Sequence, residues 1–424
     1  MHALFVTPAF PPFPGGGERY VRSLALNLAQ KGLIVTVATS NAVKETDLWQ
    51  PDQSPPNSFQ IEQDGPLRII RCPIERMPGG FRGLLAWRKI MVLLSALPGS
   101  QVRILNKMAG RVPKMPYFYE ALYQISEPID LIHGFNLSWE NAMLAGWHYA
   151  RQQAIPFIVT PFLHTGVAGR DRVSRNSTMD HQIHMLKDAS AVHTLTNIEK
   201  QALVRHGCEP SRLLNVGSGI DPIPAISNEI IDWVESLSDT PYILFIGRNS
   251  YDKGCIHAME AVLQLNDDLN YLNLLIVGQP TAELSRFLKK ENGNRKGPMR
   301  IVGVVSEERK HALLEKTLLL LLPSRTDSFG IVILEAWAHG KPVIGARAGG
   351  IADVISDGED GFLVEFGDVG SLVKKIKLLV QDSDLRRALA NNGQRKLAEI
   401  YNWDRVGDLV LSNYQHILGT NLKS

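Results

Sequence analysis

The strongest constraint on the fold is an alternation of short, apolar, β-rich runs with stretches of helical periodicity, sustained along nearly the whole chain. The first forty residues set the pattern. Ala3 to Thr7 is an apolar run that gives way to prolines. After Gly15-Gly16-Gly17, apolar residues recur at Val21, Leu24, Ala25 and Leu28, the i, i+3, i+4, i+7 spacing of one helix face. Gly32 stops that helix, and Leu33 to Thr39 reads as a second buried strand. A strand–helix–strand unit of this length predicts parallel strands and a right-handed crossover. Further runs at Ile69-Ile70, Asp130 to His133, Pro156 to Thr160, Ala191 to Leu195 and Leu213 to Val216 extend the series. Thr196 and Glu199 have capping-box spacing at the head of one intervening helix. Residues 44–66 carry four prolines and little periodicity, so they read as a loop.

A second series begins at Tyr242 to Ile246 and runs through Leu272 to Val277, Met299 to Val302, Leu318 to Leu322 and Pro342 to Ile344. Asp221-Pro222-Ile223-Pro224 precedes it and is the candidate linker. At 424 residues the chain exceeds one ordinary core and suits two domains of roughly 200 residues. The expected fold class is α/β, with two doubly wound, Rossmann-like domains facing a cleft. Ligands of such sheets collect at the carboxyl ends of the strands, so the site is expected in that cleft.

Bulk composition excludes more than it selects. Apolar residues at 44% and charged residues at 21% are an ordinary globular balance. Forty-five basic against forty-three acidic side chains leave +2, so no global field favours nucleic acid, which is not expected as a partner. Cys72, Cys208 and Cys255 are odd in number and show no metal-ligand spacing, which points to a reduced, cytoplasmic setting. The N-terminal apolar run is too short for a signal peptide or a span, and the leucines between Leu313 and Leu321 are interrupted by Glu315 and Lys316.

Chemistry concentrates after the leucine-rich strand. In Pro323-Ser324-Arg325-Thr326-Asp327-Ser328-Phe329-Gly330-Ile331-Val332-Ile333-Leu334-Glu335-Ala336, two carboxylates flank a loop-to-helix junction. The helix, expected from about Gly330 to His339, would offer the free backbone N–H groups of Ser328 to Ile331 to an anion. Glu335 would lie beside the stripe Ile331, Leu334 and Ala338, where a carboxylate needs hydrogen-bond donors; two vicinal ribose hydroxyls would satisfy both oxygens. Asp327 could accept from sugar hydroxyls. The plainer alternative makes Asp327 a helix-entry residue and Glu335 a solvated charge. A second cluster, Gly247-Arg248 directly after a strand and Lys253-Gly254 five residues on, suits two phosphates, Arg as a fork and Lys as a point charge.

Together these motifs resemble glycosyltransferase family 4 (group 1), retaining sugar transferases of the GT-B fold, along essentially the whole chain. The matching pieces are Gly16-Gly17, Gly247-Arg248 with Lys253-Gly254, Phe329-Gly330 with Leu334-Glu335-Ala336, Gly340-Lys341-Pro342-Val343, and Gly349-Gly350-Ile351. The resemblance implies a transferase that moves a sugar from a nucleotide diphosphate carrier to a glycan, lipid-linked or small-molecule hydroxyl. Arg248 and Lys253 would hold the diphosphate, Glu335 the ribose, and the backbone at Ser328, Phe329, Gly330 and Ile331 the phosphate and sugar. Gly16 and Gly17 would close over the phosphates from the other domain, and Val304 would follow the strand end near the base. His164, just beyond a strand, would lie near the donor sugar, ahead of His133 as a candidate. The catalytic set is then His164, Asp327, Arg248 and Lys253.

Asp327 and Asp353 stand where this family commonly has Glu, one methylene shorter. No Asp-X-Asp pair or His cluster suggests a metal, so neither a metal nor another cofactor is expected, and by the resemblance Arg, Lys and a helix terminus would stabilise the leaving diphosphate. The resemblance also brings the last helix, with Trp403, Val406, Leu409 and Val410, back onto the N-terminal domain. Domains of 1–222 plus 402–424 and of 223–401 follow. A non-catalytic subunit that binds a nucleotide sugar is the competing reading.

Residues 76–119 contain no Asp or Glu but eight cations: Arg76, Arg82, Arg88, Lys89, Arg103, Lys107, Arg111 and Lys114, interleaved with apolar and aromatic residues. That pattern suits either peripheral contact with an anionic membrane or a solvated face over the core.

Overall fold

A computed structural model describes residues 1–51, 58–167, 173–266, 272–291 and 298–419. The chain forms two compact units. One comprises residues 1–163, 172–219 and 403–424, and the other residues 164–171 and 220–402.

The strands of the first unit are β1 (His2–Val6), β2 (Ile34–Ser40), β3 (Gln60–Asp64), β4 (Leu67–Cys72), β5 (Leu131–Phe135), β6 (Phe157–Thr160), β7 (Ala191–Thr194) and β8 (Leu213–Asn215). Those of the second are β9 (Tyr242–Ile246), β10 (Asn273–Val277), β11 (Met299–Gly303), β12 (Leu320–Leu322), β13 (Val343–Ala346) and β14 (Phe362–Val364). The helices, in chain order, are α1 (Gly16–Gln30), α2 (Gly80–Ser95), α3 (Val102–Ala109), α4 (Phe118–Tyr123), α5 (Glu140–Gln153), α6 (Asp180–Asp188), α7 (Asn197–Arg205), α8 (Asn228–Glu235), α9 (Cys255–Asn266), α10 (Ala282–Glu291), α11 (Glu307–Lys316), α12 (Ile331–Ala338), α13 (Ile351–Val354), α14 (Val369–Gln381), α15 (Ser383–Ile400) and α16 (Trp403–Ile417).

The first sheet has the order β3-β4-β2-β1-β5-β6-β7-β8, and the second β11-β10-β9-β12-β13-β14. Every pair is parallel except β3 with β4. In each sheet the chain works outward in one direction, returns to the middle, and then works outward in the other. The reversals fall between β1 and β5 and between β9 and β12. Loops leaving the carboxyl ends of such a strand pair diverge and open a crevice, the ordinary ligand position in this architecture.

Continuous apolar strands make both cores, as parallel sheets covered on two faces require. Leu4, Val6, Ile132 and Val159 lie in the first core, and Ile243, Phe245, Ile276, Leu321 and Ile344 in the second. α16 packs on α1 within the first unit, burying Val406, Val410 and Tyr414. The contact is close at Gly407, where an added Cβ would fall 1.8 Å from Asn27 Oδ1.

Three elements differ from the sequence expectation. β3 lies inside the stretch 44–66 read as a loop; residues 52–57 of that stretch lie outside the described ones. Its residues Gln60 to Glu62 are exposed, so it pairs with β4 through the backbone ladder and an exposed Arg71–Glu62 ion pair and has no buried face to produce a period-two pattern. β14, only three residues long, is too short to leave a readable pattern. Residues 164–167 group with the second unit rather than with the N-terminal segment that carries them.

Candidate functional site in the second unit

The second sheet's reversal brings two sequence motifs side by side. The loop after β9 carries Arg248 and Lys253, and the loop after β12 carries Asp327 to Gly330 into the N-terminus of α12. Asn249, fully buried, donates to the Gly278 carbonyl, and its own amide bonds Gln279 O, so the first loop is anchored to β10. Arg325 spans the two loops: its guanidinium bonds Asp252 Oδ1 and its amide bonds Asp252 O. At Gly254 the loops nearly touch, since a Cβ would lie 2.1 Å from Pro323 O and φ is +77°. No other residue type fits there.

Lys253 Nζ donates to Asp327 Oδ1 at 2.8 Å, and both side chains are largely buried. Burial pushes the Asp327 carboxyl up, but the Lys253 charge and hydrogen bond outweigh it, so the group lies below its ordinary value. It is a carboxylate at neutral pH. His164 feels the same charges. Burial and the Lys253 ammonium drive its pKa down to about 4, against opposing pulls from Asp327 and the Thr326 backbone. It is therefore a neutral imidazole at pH 7, able to exchange hydrogen bonds without adding charge. Arg248 is exposed at the mouth of β9. Gly330 begins α12 at φ +89°, and the amides of Ser328, Phe329, Gly330 and Ile331 make no hydrogen bond among the described residues. Four such N–H groups at a helix start, with the Lys253 ammonium bonded to Asp327 just ahead of them and Arg248 on the neighbouring loop, could receive an anion.

Gly349 and Gly350 support that loop. Gly350 N donates to Asp327 O at 2.9 Å, and a Cβ on Gly350 would meet Ser328 O at 1.9 Å. Gly350→Ala is therefore expected to displace the Asp327–Phe329 backbone, lowering stability by about 1–3 kcal/mol and weakening anion binding. Chemical denaturation with phosphate or nucleotide titration measures both effects. A variant equal to wild type in each contradicts this packing.

Glu335 corrects the expectation made for it. It is neither a solvated charge nor a carboxylate awaiting ribose hydroxyls on both oxygens: it is 3% exposed, and Lys310 Nζ already donates to Oε1 at 2.8 Å. Sequence reading missed Lys310 because a lysine in the polar-looking run Glu307-Glu308-Arg309-Lys310 reads as surface. Yet it is 6% exposed and also bonds Glu307. The ligand atoms of Glu307, His311 and Glu335 lie within 4.8 Å of one another, close enough for a metal ion. The Lys310 ammonium supplies the positive charge to both carboxylates, and a divalent ion there would be repelled by it. The residues present thus fit an internal ion pair better than a metal. One Asp-X-Asp sequence exists, Asp382-Ser383-Asp384, and it is a helix cap: Asp382 Oδ1 accepts from the amides of Asp384 and Leu385.

Val304 follows β11 on the same carboxyl edge and is 72% exposed. Phe329 is buried against Tyr401. Asp353 lies in α13, behind Gly350. Gly16 and Gly17 belong to the first unit, where they open α1 after β1, and Gly17 packs on the Phe162 ring. Beside them, burial raises Glu18 to about 7. His133 is a core residue, fully buried mid-strand and bonded to Thr160 Oγ1 and Tyr414. Thr196 caps α7 as expected, and the Glu199 carboxyl, pushed up to about 7 by burial, accepts from the amides of Leu163 and Leu195 as well as that of Thr196, pinning the residue before His164.

The chain is similar to known proteins. Residues 227–396 match the family model "Glycosyl transferases group 1", and residues 15–219 match "Glycosyl transferase 4-like domain". A D-inositol 3-phosphate glycosyltransferase from Xylanimonas cellulosilytica is 26% identical, with 94% of this chain and 91% of the relative covered. Two other curated relatives are matched over only about half of their own length. Among solved structures, sucrose-phosphate synthase from Thermosynechococcus elongatus superposes with a TM-score of 0.72 at 20% identity, covering 99% of each chain. The Anabaena protein HepE, solved in complex with UDP and glucose, gives 0.69 at 17% identity over 98% of this chain and all of its own. Two parallel α/β sheets in this order, with likeness at this level, are the GT-B fold. With adjoining family models on residues 15–219 and 227–396 and the fold agreeing with them, the chain belongs to the group 1 glycosyltransferases.

Proposed function

We propose that the carboxyl edge of the second sheet binds a nucleotide diphosphate sugar and that the enzyme transfers the sugar, with retention and without metal, to an acceptor hydroxyl. The observation that carries this reading is the convergence of Arg248, Lys253 and the open amides of Ser328–Ile331 at the β9/β12 reversal. A diphosphate leaving group develops negative charge as the glycosidic bond breaks, and preorganised donors aimed at that charge are the strongest source of rate acceleration open to such an enzyme. In the proposed step the C1–O(phosphate) bond breaks and its electron pair stays on the phosphate. The acceptor oxygen bonds C1 from the same face, and its proton passes to the phosphate oxygen. His164, being neutral, would hold a sugar hydroxyl. Asp327 would hold Lys253 in place and offer its remaining acceptor capacity to the sugar. One Glu335 oxygen, beside the Lys310-bound one, would take a ribose hydroxyl.

HepE was solved with UDP and glucose, which makes a uridine carrier the first to test. A glycan, a lipid-linked sugar and a small-molecule alcohol all remain as acceptor classes. The test is nucleotide release from UDP-, GDP- and ADP-sugars, with and without EDTA. Release from one carrier that EDTA leaves unchanged is expected. Binding without release, across acceptors of all three classes, would favour a non-catalytic nucleotide-sugar binder. Loss of release in EDTA would remove the metal-free step.

A further inference from the structure

α2 presents an unusual outer face. Phe81, Leu85, Ile90 and Leu93 are 52%, 44%, 48% and 68% exposed, and the exposed cations Arg82 and Lys89 lie among them. At 100° per residue these six occupy one half of the helix, while Leu84 and Met91 are buried on the other. α3 packs beside α2 and adds exposed Arg103, Ile104 and Lys107. Single exposed apolar residues are ordinary on a soluble protein, but a helix half built of them is not. Two of the eight cations in this stretch serve the fold: Arg88 points inward to the buried Glu140, and Lys114 pairs with Glu75. Arg76, Arg82, Lys89, Arg103, Lys107 and Arg111 stay exposed, in a stretch with no acid of its own.

We propose that the α2–α3 surface docks on an anionic bilayer, with the apolar side chains of α2 entering the headgroup boundary and the cations meeting lipid phosphates. Charge selects this occupant. A second copy of the chain would set two like-charged, acid-free faces against each other, whereas an anionic leaflet complements both the apolar strip and the cations between its residues. Lysine and arginine stems lie along apolar surface with their charged ends at the headgroups, so mixing the two residue types is favourable only at such a boundary. This surface lies wholly within the first unit and does not rest on the reading of the donor site. If both hold, the enzyme works at a membrane face, where a lipid-linked acceptor would be presented.

The test is flotation of the full chain with vesicles of equal parts phosphatidylglycerol and phosphatidylcholine, against phosphatidylcholine alone, at low and high salt. Binding to the anionic vesicles alone, weakened by salt, is expected. Leu85→Asp with Leu93→Asp, and separately Arg82→Glu with Lys89→Glu, should each weaken binding roughly tenfold or more. All four residues are exposed, so both double variants should keep the wild-type unfolding midpoint and donor turnover. No flotation with anionic vesicles, or equal flotation with both kinds, overturns the proposal. So does a concentration-dependent dimer that Leu93→Asp abolishes without any vesicle binding, which would assign the face to a second copy.

Discussion

Lys253→Ala should reduce donor turnover by about two to three orders of magnitude, the usual effect of removing a principal donor to developing charge. The same change lowers stability, because Asp327 loses the ammonium that holds it ionised. Both side chains keep roughly a fifth of their surface, so about 1–2 kcal/mol is expected, below the 3–5 of a fully buried pair. These two consequences can be separated. Adding Asp327→Asn removes the stranded charge and should return much of the stability, while turnover stays low. Urea unfolding and steady-state kinetics on wild type, both single variants and the double variant measure this. Recovery of turnover along with stability would mean that Lys253 acts only by supporting the fold.

The largest effect on stability is expected from Lys310→Ala. The Lys310 and Glu335 side chains are 7% and 4% exposed, and truncating the lysine leaves a carboxylate in a helix packed on the core without its ammonium. About 3–5 kcal/mol should be lost, a large part of the 5–15 that such domains possess. Glu335→Gln in the Lys310→Ala background should restore part of it, since a neutral amide is far less costly to bury. If Lys310→Ala unfolds at the wild-type urea midpoint, the ion pair contributes nothing and Glu335 is served by other groups.

Much of this molecule was legible in its sequence, and the parts that were not have identifiable physical causes. The buried parallel strands announced themselves because both faces of each are covered, so Leu320 to Leu322 or Ile243 to Phe245 read as unbroken apolar runs. β3 gave no such signal, since nothing it carries is buried. The loop motifs Gly247-Arg248, Lys253-Gly254 and Gly349-Gly350 were visible as residue types. What the glycines do became visible only in three dimensions, where Pro323 O and Ser328 O occupy the space of the missing Cβ atoms. The partners of the key acids were hidden for a related reason. Lys253 meets Asp327 across 74 positions and Lys310 meets Glu335 across 25, and no local spacing rule links either pair. His133 and His164 both looked like strand-end residues. One proved to be mid-strand and satisfied by Thr160 and Tyr414, while the other lies among charged groups.

The proposed chemistry turns on a diphosphate lodging between Arg248, Lys253 and the first amides of α12. Crystals of the protein grown with a UDP-sugar, or with whichever carrier the release assay selects, test that directly. The predicted result is density for both phosphates within hydrogen-bond distance of the Arg248 guanidinium, Lys253 Nζ and at least one amide from Ser328 to Ile331. A bound carrier whose phosphates lie elsewhere, with Lys253 and Asp327 still paired and those amides facing solvent, would contradict it.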